Sequence, residues 1–282
     1  MRKPHDEGAF NRLTKRLTPH LSPLLMRRPV DQMVRLAGIY LDILQGKGAG
    51  TGWDLRSEAE VAARFIQRPR PVIFDIGANR GDWSAALLQL IGAYDPRLYL
   101  FEPQPACQEM IRARNLPRAT IVPAAVGERP GSADLISHAP GSPVASLYVR
   151  RDTYHQFAST ERRETVPVVS VDTIMTEYAI DKVDFMKVDV EGHELAVLSG
   201  ARQMLNSQRI VALSFEFGSG QINSRCFFHD FWDLLHPLGY RVQRICPGGM
   251  LLEIEEYYED LEHFRGVSNY LAVLAQECNR LM

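Results

Sequence analysis

Cysteine is scarce in this chain: four residues, at 107, 226, 246 and 278, stand too far apart to form a Cys-x-x-Cys pair. No two histidines have zinc-ligand spacing either. This excludes a disulfide-stapled scaffold and a zinc ribbon, and leaves reduced thiols of a cytosolic protein as the expectation. Long apolar runs are also missing. No stretch approaches the roughly 20 residues of a membrane span. Near the N-terminus, charges and prolines break each apolar run before it reaches the about 7–15 residues of a signal-peptide core. Net charge is only −2 over 282 residues, so no global basic field argues for nucleic acid. Nothing repeats internally, and no tract is of low complexity. A Gly-x-Gly-x-x-Gly dinucleotide turn and a P-loop ending in Gly-Lys-Ser/Thr are both absent.

What is present is an ordinary globular composition, 45% apolar and 23% charged, in a chain long enough to bury a substantial core. The rest is arranged around residues 72–81, Val-Ile-Phe-Asp-Ile-Gly-Ala-Asn-Arg-Gly, followed by Asp82, Trp83 and Ser84. Apolar residues run into Asp75, Gly77 and Gly81 bracket a polar turn, and Trp83, Ala86, Leu87, Leu90 and Ile91 follow with helical spacing. The expectation is strand, glycine turn, helix. A turn without side-chain bulk lets a ligand lie on backbone amides at the start of a helix. A pyrophosphate does not suit this one, because the spacing is Gly-x-x-x-Gly and Asp75 sets a carboxylate at the strand tip. That charge suits an ammonium and a sulfonium, the charges of S-adenosylmethionine (SAM). The next strand, 98–101, ends in Glu102-Pro103. An acid there accepts both hydroxyls of an adenosine ribose, and taken alone fits NAD as well as SAM.

Residues 1–29 are basic and proline-punctuated, with seven Lys and Arg against two acids over 1–30. They are expected to form a mobile arm or irregular cover, either a solvated tail or a peripheral contact for an acidic membrane surface. Met33, Val34, Leu36, Ala37, Tyr40, Leu41 and Leu44 mark an amphipathic helix over 30–44. The glycine-rich stretch 46–52 follows a helix rather than a strand and reads as a helix stop and linker. A helix over 54–67 carries Ser57 and Glu60 at capping-box spacing. The chain therefore divides into a basic arm and helical extension at 1–52 and a main domain at 53–282.

Within that domain a short helix is expected at 105–114 and a strand at 119–126. Alternating runs at 132–137 and 144–149 suggest an inserted β-hairpin beside the strand tips, where a substrate pocket is walled. A loop with Tyr154, His155 and Phe157 covers 150–164. A strand at 165–171 leads to a helix over 174–179 capped by Asp172-Thr173. A central strand at 183–190 is followed by one helix from 195 to 205, then by a strand at 209–217 that ends near Glu216. A helix at 227–235 precedes closing strands at 240–245 and 269–274, with the acidic residues 253–262 between them. Strands and helices in alternation describe an open, doubly wound α/β sheet with its ligand over the carboxyl ends.

Four motifs resemble the FkbM family of SAM-dependent methyltransferases over about residues 53–274. They are Asp-Ile-Gly-Ala-Asn-x-Gly at 75–81, Phe-Glu-Pro at 101–103, Val-Asp-Thr at 171–173 and Asp-Phe-Met-Lys-Val-Asp-Val-Glu-Gly-His-Glu at 184–194. The resemblance implies a Rossmann-like class I methyltransferase fold, a mostly parallel seven-stranded sheet with an antiparallel last strand. Here that fold carries the inserted hairpin and the N-terminal extension. It also implies methylation of a hydroxyl on a carbohydrate, glycan or polyketide-like product, with no nucleic acid as partner. Carried over by position, Asp75, Gly77, Ala78, Asn79, Gly81 and Glu102 contact the cofactor, with Ser84 at the helix start among them and Asp189 at the methionine end.

Methyl transfer from a sulfonium is an in-line displacement, so an enzyme holds the acceptor oxygen close and assists loss of its proton. The candidates for that assistance are His193, Glu191 and Glu216. His193 stands at a strand tip and ordinarily titrates near neutrality; its alternative, like that of Glu191, is to serve the start of the next helix. Lys187 lies in a strand expected to be buried on both faces and needs a partner there, Asp189 or Asp75. A divalent ion held by Asp189 and Glu216 is the metal alternative, without a second acidic cluster to support it. Three rival readings stand beside this one. A nicotinamide-dependent oxidoreductase is disfavoured by the turn and by Asp75. A base methyltransferase would carry Asn-Pro-Pro-Tyr where this chain has Asp-Val-Glu-Gly at 189–192. A catalytically silent SAM-binding scaffold keeps the cofactor motifs without turnover.

Overall fold

The computed structural model describes residues 7–150 and 161–281. Residues 1–6 of the basic arm, and Tyr154, His155 and Phe157 of the expected loop, lie outside the described residues. The chain forms two compact units, Met1–Leu44 and Gln45–Met282, so the second begins within the stretch 1–52 expected as extension.

The first unit holds α1 (Glu7–Leu25) and α2 (Arg28–Leu44). The irregular arm expected over 1–29 is thus helical from Glu7 onward. Leu13, Leu17, Leu21 and Leu24 recur every third or fourth residue, and the helix runs on through Pro19 and Pro23. Those leucines are exposed, as are Met33, Leu36, Tyr40 and Leu44 of α2.

The second unit begins with α3 (Thr51–Arg64), β1 (Val72–Ile76), α4 (Asp82–Ile91), β2 (Arg97–Phe101), α5 (Pro105–Ala113), β3 (Ala119–Val122), β4 (Ala125–Val126), β5 (Gly131–Ser137) and β6 (Arg162–Val169). It continues with α6 (Val171–Glu177), β7 (Val183–Val188), α7 (Glu194–Ser199), α8 (Arg202–Asn206), β8 (Ile210–Gly218), α9 (Ser219–Ser224), α10 (Phe228–Leu235), β9 (Tyr240–Cys246), β10 (Met250–Ile254), β11 (Val267–Leu274) and α11 (Ala275–Leu281).

The central sheet has eight strands in the order β10-β9-β11-β8-β7-β1-β2-β3, one more than expected. The extra strand is β10, which folds back on β9 and reaches into the acidic stretch 253–262 only with its last two residues. β3, β2, β1, β7 and β8 are parallel, and β11, the last strand of the chain, is antiparallel to both its neighbours. This is the expected Rossmann-like α/β architecture. β1 and β7 are buried along their whole length, as near-continuous apolar strands in a doubly covered sheet are. Their side chains alternate between two core layers: Ile73, Phe185 and Leu271 pack with Trp83 on one face, and Phe74, Met186 and Tyr270 pack with Phe228 and Phe231 on the other. The chain leaves β1 toward β2 on one side and returns at β7 on the other. That makes β1 and β7 the switch point, outside whose carboxyl ends open α/β sheets bind ligands.

The inserted hairpin is instead a three-stranded sheet, β4-β6-β5. β5 pairs over its full length with β6, while the 144–149 run supplies one isolated bridge, Ser146 to Ile136. The long ladder wins because it also buries Leu135 and Val166 against Ala125. The strand expected over 119–126 splits at Pro123, which has no amide to donate, so β3 joins the central sheet and β4 the small one. The single helix expected at 195–205 is two, α7 and α8. They break at Gly200, where a Cβ would stand 2.1 Å from the Gly127 carbonyl oxygen.

Two expected caps also differ. The cap of α6 is Ser170, whose Oγ accepts from the Thr173 amide at 3.2 Å, while Asp172 caps α8 by accepting from the Gln203 and Met204 amides at 3.0 and 3.1 Å. α3 begins at Thr51, which leaves Ser57 and Glu60 inside it rather than at a capping box.

Candidate active site

Two cavities open over the carboxyl ends of the central strands. The smaller, about 530 Å³ including open solvent, is lined by Phe101, Glu102, Gln104, Ala125, Leu147 and His193 among others. The larger, about 1270 Å³ including open solvent, is lined by Gly48, Asp75, Trp83, Lys187, Glu216 and Gly266 among others. Gly77, Asn79, Pro143, Asp189 and Glu191 line both, so the two form one continuous site.

The turn after β1 is stitched to both neighbouring strands. The amides of Gly77 and Ala78 donate to the Phe101 carbonyl at 3.0 and 3.1 Å, and the Asp189 amide donates to the Ile76 carbonyl at 3.0 Å. Gly77 has φ +81°, and a Cβ there would lie 1.8 Å from the Asp189 carbonyl oxygen, so glycine alone allows this approach. Glu102, at the tip of β2, is buried; its carboxylate accepts from the amides of Asn79 at 2.9 Å and Gln104 at 2.8 Å. Burial nevertheless pushes its pKa up to about 7, against the pull of those two amides.

Asp75 is 1% exposed. Ser84 Oγ donates to its Oδ2 at 2.6 Å, while Oδ1 is buried without a hydrogen-bond partner among the described residues. Burial raises the Asp75 pKa, opposed by Lys187 and Ser84. Lys187 sits beside Asp75 in register and donates to Asp189 Oδ2 at 2.7 Å, the pairing its buried strand requires. Burial disfavours its charge, but Asp189, Asp75 and Glu58 outweigh burial and hold the ammonium above its ordinary range. Of the other expected cofactor residues, Ala78 lines the larger cavity. Gly81 and Ser84 are absent from both linings: Gly81 starts α4 facing Ile111 and Leu116, and Ser84 acts on Asp75.

The three proton-transfer candidates are spread across the site. His193 lines the smaller cavity, with Nδ1 3.1 Å from the Tyr148 hydroxyl and no side-chain capping bond to α7. Burial lowers its pKa, which favours the neutral imidazole. Glu191 lines both cavities and forms an ion pair with Arg150. Glu216 lines the larger cavity. Burial, then Asp189 and Glu191, raise its pKa well above the usual carboxylate range, against the pull of Lys187. Among the described residues no group of three His, Cys, Asp or Glu could hold a metal ion.

Two parts of the site carry little sequence signal. The 46–52 stretch, read as a linker, walls the larger cavity with Gly48 and Gly50. The Gly48 amide donates to Ser268 Oγ at 2.9 Å and Lys47 pairs with Asp260, partners more than 200 positions away that no local pattern reveals. Glu194 is fully buried and accepts from the amides of Val190 and Gly192 at 3.0 Å. It also accepts from Gln221 Nε2, and Gln221 Oε1 in turn accepts from the Gly218 amide at 2.7 Å. This joins the tips of β7 and β8, and burial pushes the Glu194 pKa up to about 7. The acid is visible in the 184–194 motif; its glutamine partner is not.

The chain matches the methyltransferase FkbM domain over residues 75–242. It is 31% identical over 169 residues to the hexuronic acid methyltransferase AglP of Haloferax volcanii, covering 58% of this chain and 65% of that protein. The chain thus spans just under two thirds of the length of that relative. It is 27% identical over 174 residues to the 2-O-methyltransferase NoeI of Sinorhizobium fredii, covering 57% of this chain and 71% of that protein. A solved FkbM methyltransferase from Methylobacillus flagellatus superposes with a TM-score of 0.43 at 17% identity, over 73% of this chain and 45% of that one. Because the matched domain takes in more than half of the chain, with the Asp75 turn, Glu102 and the strand tip at Asp189, the chain belongs to the FkbM methyltransferase family.

Proposed function

We propose that the protein is a SAM-dependent O-methyltransferase acting on a hydroxyl of a carbohydrate, a glycan or a polyketide-like product. The observation that carries this reading is the double cavity at the switch point, with Glu102 in one half and the unpartnered Oδ1 of Asp75 in the other. A buried acceptor left unsatisfied costs about 1–3 kcal/mol. An ammonium satisfies Asp75, ribose hydroxyls suit Glu102, and SAM carries both on one molecule. The names of the two relatives, one a hexuronic acid methyltransferase and one a 2-O-methyltransferase, support the acceptor class. The nicotinamide and silent-scaffold readings have no comparable support.

When bound, SAM supplies a methyl group activated on a sulfonium. The chain's residues bind, orient and take a proton. Glu102 accepts from the ribose, and Asp75, oriented by Ser84, meets the ammonium. Glu216 is the carboxylate we assign to the acceptor hydroxyl proton, because it shares the larger cavity with Asp189 and Glu191 and its raised pKa suits a weakly acidic donor. His193, tied to Tyr148 on the Glu102 side and lowered in pKa, walls the cofactor half in this reading.

The four cysteines are free thiols, which supports a cytoplasmic location. The exposed leucines of α1, with Arg12, Lys15 and Arg16 among them, support a peripheral contact with an anionic membrane surface. Sedimentation of the full chain with vesicles tests that contact: binding should require anionic lipid, and equal recovery without vesicles removes it. The catalytic reading is tested by incubating the protein with methyl-labelled SAM and a panel of glycan, nucleotide-sugar and polyketide acceptors, followed by mass spectrometry. One acceptor class should gain the label, and an EDTA arm reports whether a divalent ion takes part. Tight NAD binding with no SAM binding by calorimetry would overturn the assignment.

A further inference from the structure

We propose that Trp83, together with Lys187, forms the carboxylate-binding half of an α-amino-acid subsite whose ammonium-binding half is Asp75. The inference rests on the SAM reading above and adds to it the residues that hold the amino-acid end of the cofactor.

Trp83 is the second residue of α4, 3% exposed, and it lines the larger cavity. Its ring has a packing role, stacked on Phe185 with centroids 5.9 Å apart. A phenyl ring would keep the stacking on Phe185. The indole nitrogen is what packing does not explain: Nε1 is buried with no hydrogen-bond partner among the described residues, although an indole N–H can only donate and buried tryptophans usually find an acceptor. Lys187 Nζ lies 6.0 Å from the centroid of the same ring and lines the same cavity. Its bond to Asp189 uses one of three N–H donors. Beside Lys187 in the sheet, Asp75 Oδ1 is, among the described residues, the other buried side-chain atom of this cavity without a partner, and it is an acceptor.

One cavity therefore presents an unused donor next to an ammonium, and an unused carboxylate oxygen beside them. These are the complements of a carboxylate and of an ammonium. A neutral polyol could meet either group through a hydroxyl. A zwitterion satisfies both at once and matches each charge with its opposite.

The substitution Trp83→Phe keeps an aromatic ring against Phe185 and removes the N–H together with the pyrrole part of the indole, a loss of packing that the ligand lacking the amino-acid end controls for. Titration calorimetry is run with S-adenosylhomocysteine and with 5′-methylthioadenosine, which shares the adenosine and thioether but lacks the amino-acid end. Trp83→Phe should weaken S-adenosylhomocysteine about tenfold or more and leave 5′-methylthioadenosine unchanged. Wild-type protein should bind decarboxylated S-adenosylhomocysteine at least tenfold more weakly than the parent, a comparison that needs no substitution. Tryptophan fluorescence should respond to S-adenosylhomocysteine more than to 5′-methylthioadenosine, and Trp83→Phe should remove that difference. Unchanged S-adenosylhomocysteine affinity in the variant overturns the proposal. So does equal weakening of both ligands, which would make the indole structural, and so does indifference of the wild type to the missing carboxylate. A wild type that binds neither ligand overturns the SAM reading itself, and this inference with it.

Discussion

Glu102 is poised to titrate near neutrality. Burial raises its pKa to about 7 in the ligand-free protein, whereas ribose hydroxyls donate to its ionised form. Binding therefore expels a proton below about pH 7, and affinity for S-adenosylhomocysteine should rise through neutrality and level off above it. Calorimetry in two buffers of different ionisation enthalpy reads the released proton, and an affinity indifferent to pH contradicts the assignment. Glu216 provides a second residue-scale test. Its pKa is raised, so the carboxylate needed to accept a proton forms only as pH rises, and wild-type turnover should climb along an acid limb. Glu216→Gln should lower kcat by about 10²- to 10⁴-fold and abolish that limb, with cofactor affinity largely kept. His193→Ala is expected to change kcat little; a comparable collapse with loss of an ionisation would return the base role to the histidine.

At the scale of elements, the site depends on how the strand tips are tied. Glu194 holds the turn after β7 and, through Gln221, the end of β8. Glu194→Ala leaves buried amides unpartnered at about 1–3 kcal/mol each, so the melting temperature should fall by several degrees or more. The pH dependence has a definite sign. The folded pKa of Glu194 is raised to about 7 from the ordinary 4.5; the folded protein thus binds this proton more tightly than the unfolded chain. Its contribution is full below about pH 4.5 and lost as pH rises through about 7. Thermal melts of wild-type protein should therefore fall in midpoint across that window, and Glu194→Gln should reduce the slope. Gly77→Ala is the sharpest test of the β1 turn. A methyl 1.8 Å from the Asp189 carbonyl oxygen forces the two strand tips apart, so S-adenosylhomocysteine binding should be lost, and retained affinity would show that the ligand lies elsewhere.

At the scale of the whole molecule, both cavities and both core layers belong to the unit Gln45–Met282, while α2 buries none of its own residues. Deleting Met1–Leu44 should leave a single cooperative melt and near wild-type affinity for S-adenosylhomocysteine. A broad melt or lost affinity would show that the second unit needs the first.

The sequence by itself determined what local order can carry. The run from Val72 to Ile76 into two glycines is a strand, turn and helix whatever surrounds it. The burial expected of Lys187 already demanded a carboxylate partner, and the acids at 75, 102, 189 and 216 fell at or near strand ends because apolar runs placed the strands. Tertiary structure decided everything that depends on pairing between distant segments. Local alternation could not show that β5 would choose β6 over 144–149, since the choice turns on which ladder buries Leu135 and Val166. Nor could it show that a glycine stretch near residue 48 would wall a cavity against Val267 and Ser268. Trp83 reads as core in any helical pattern, and its ring is. Only the folded chain shows that the indole nitrogen is left over from that packing, because an unpartnered donor is a property of the surroundings and not of the residue.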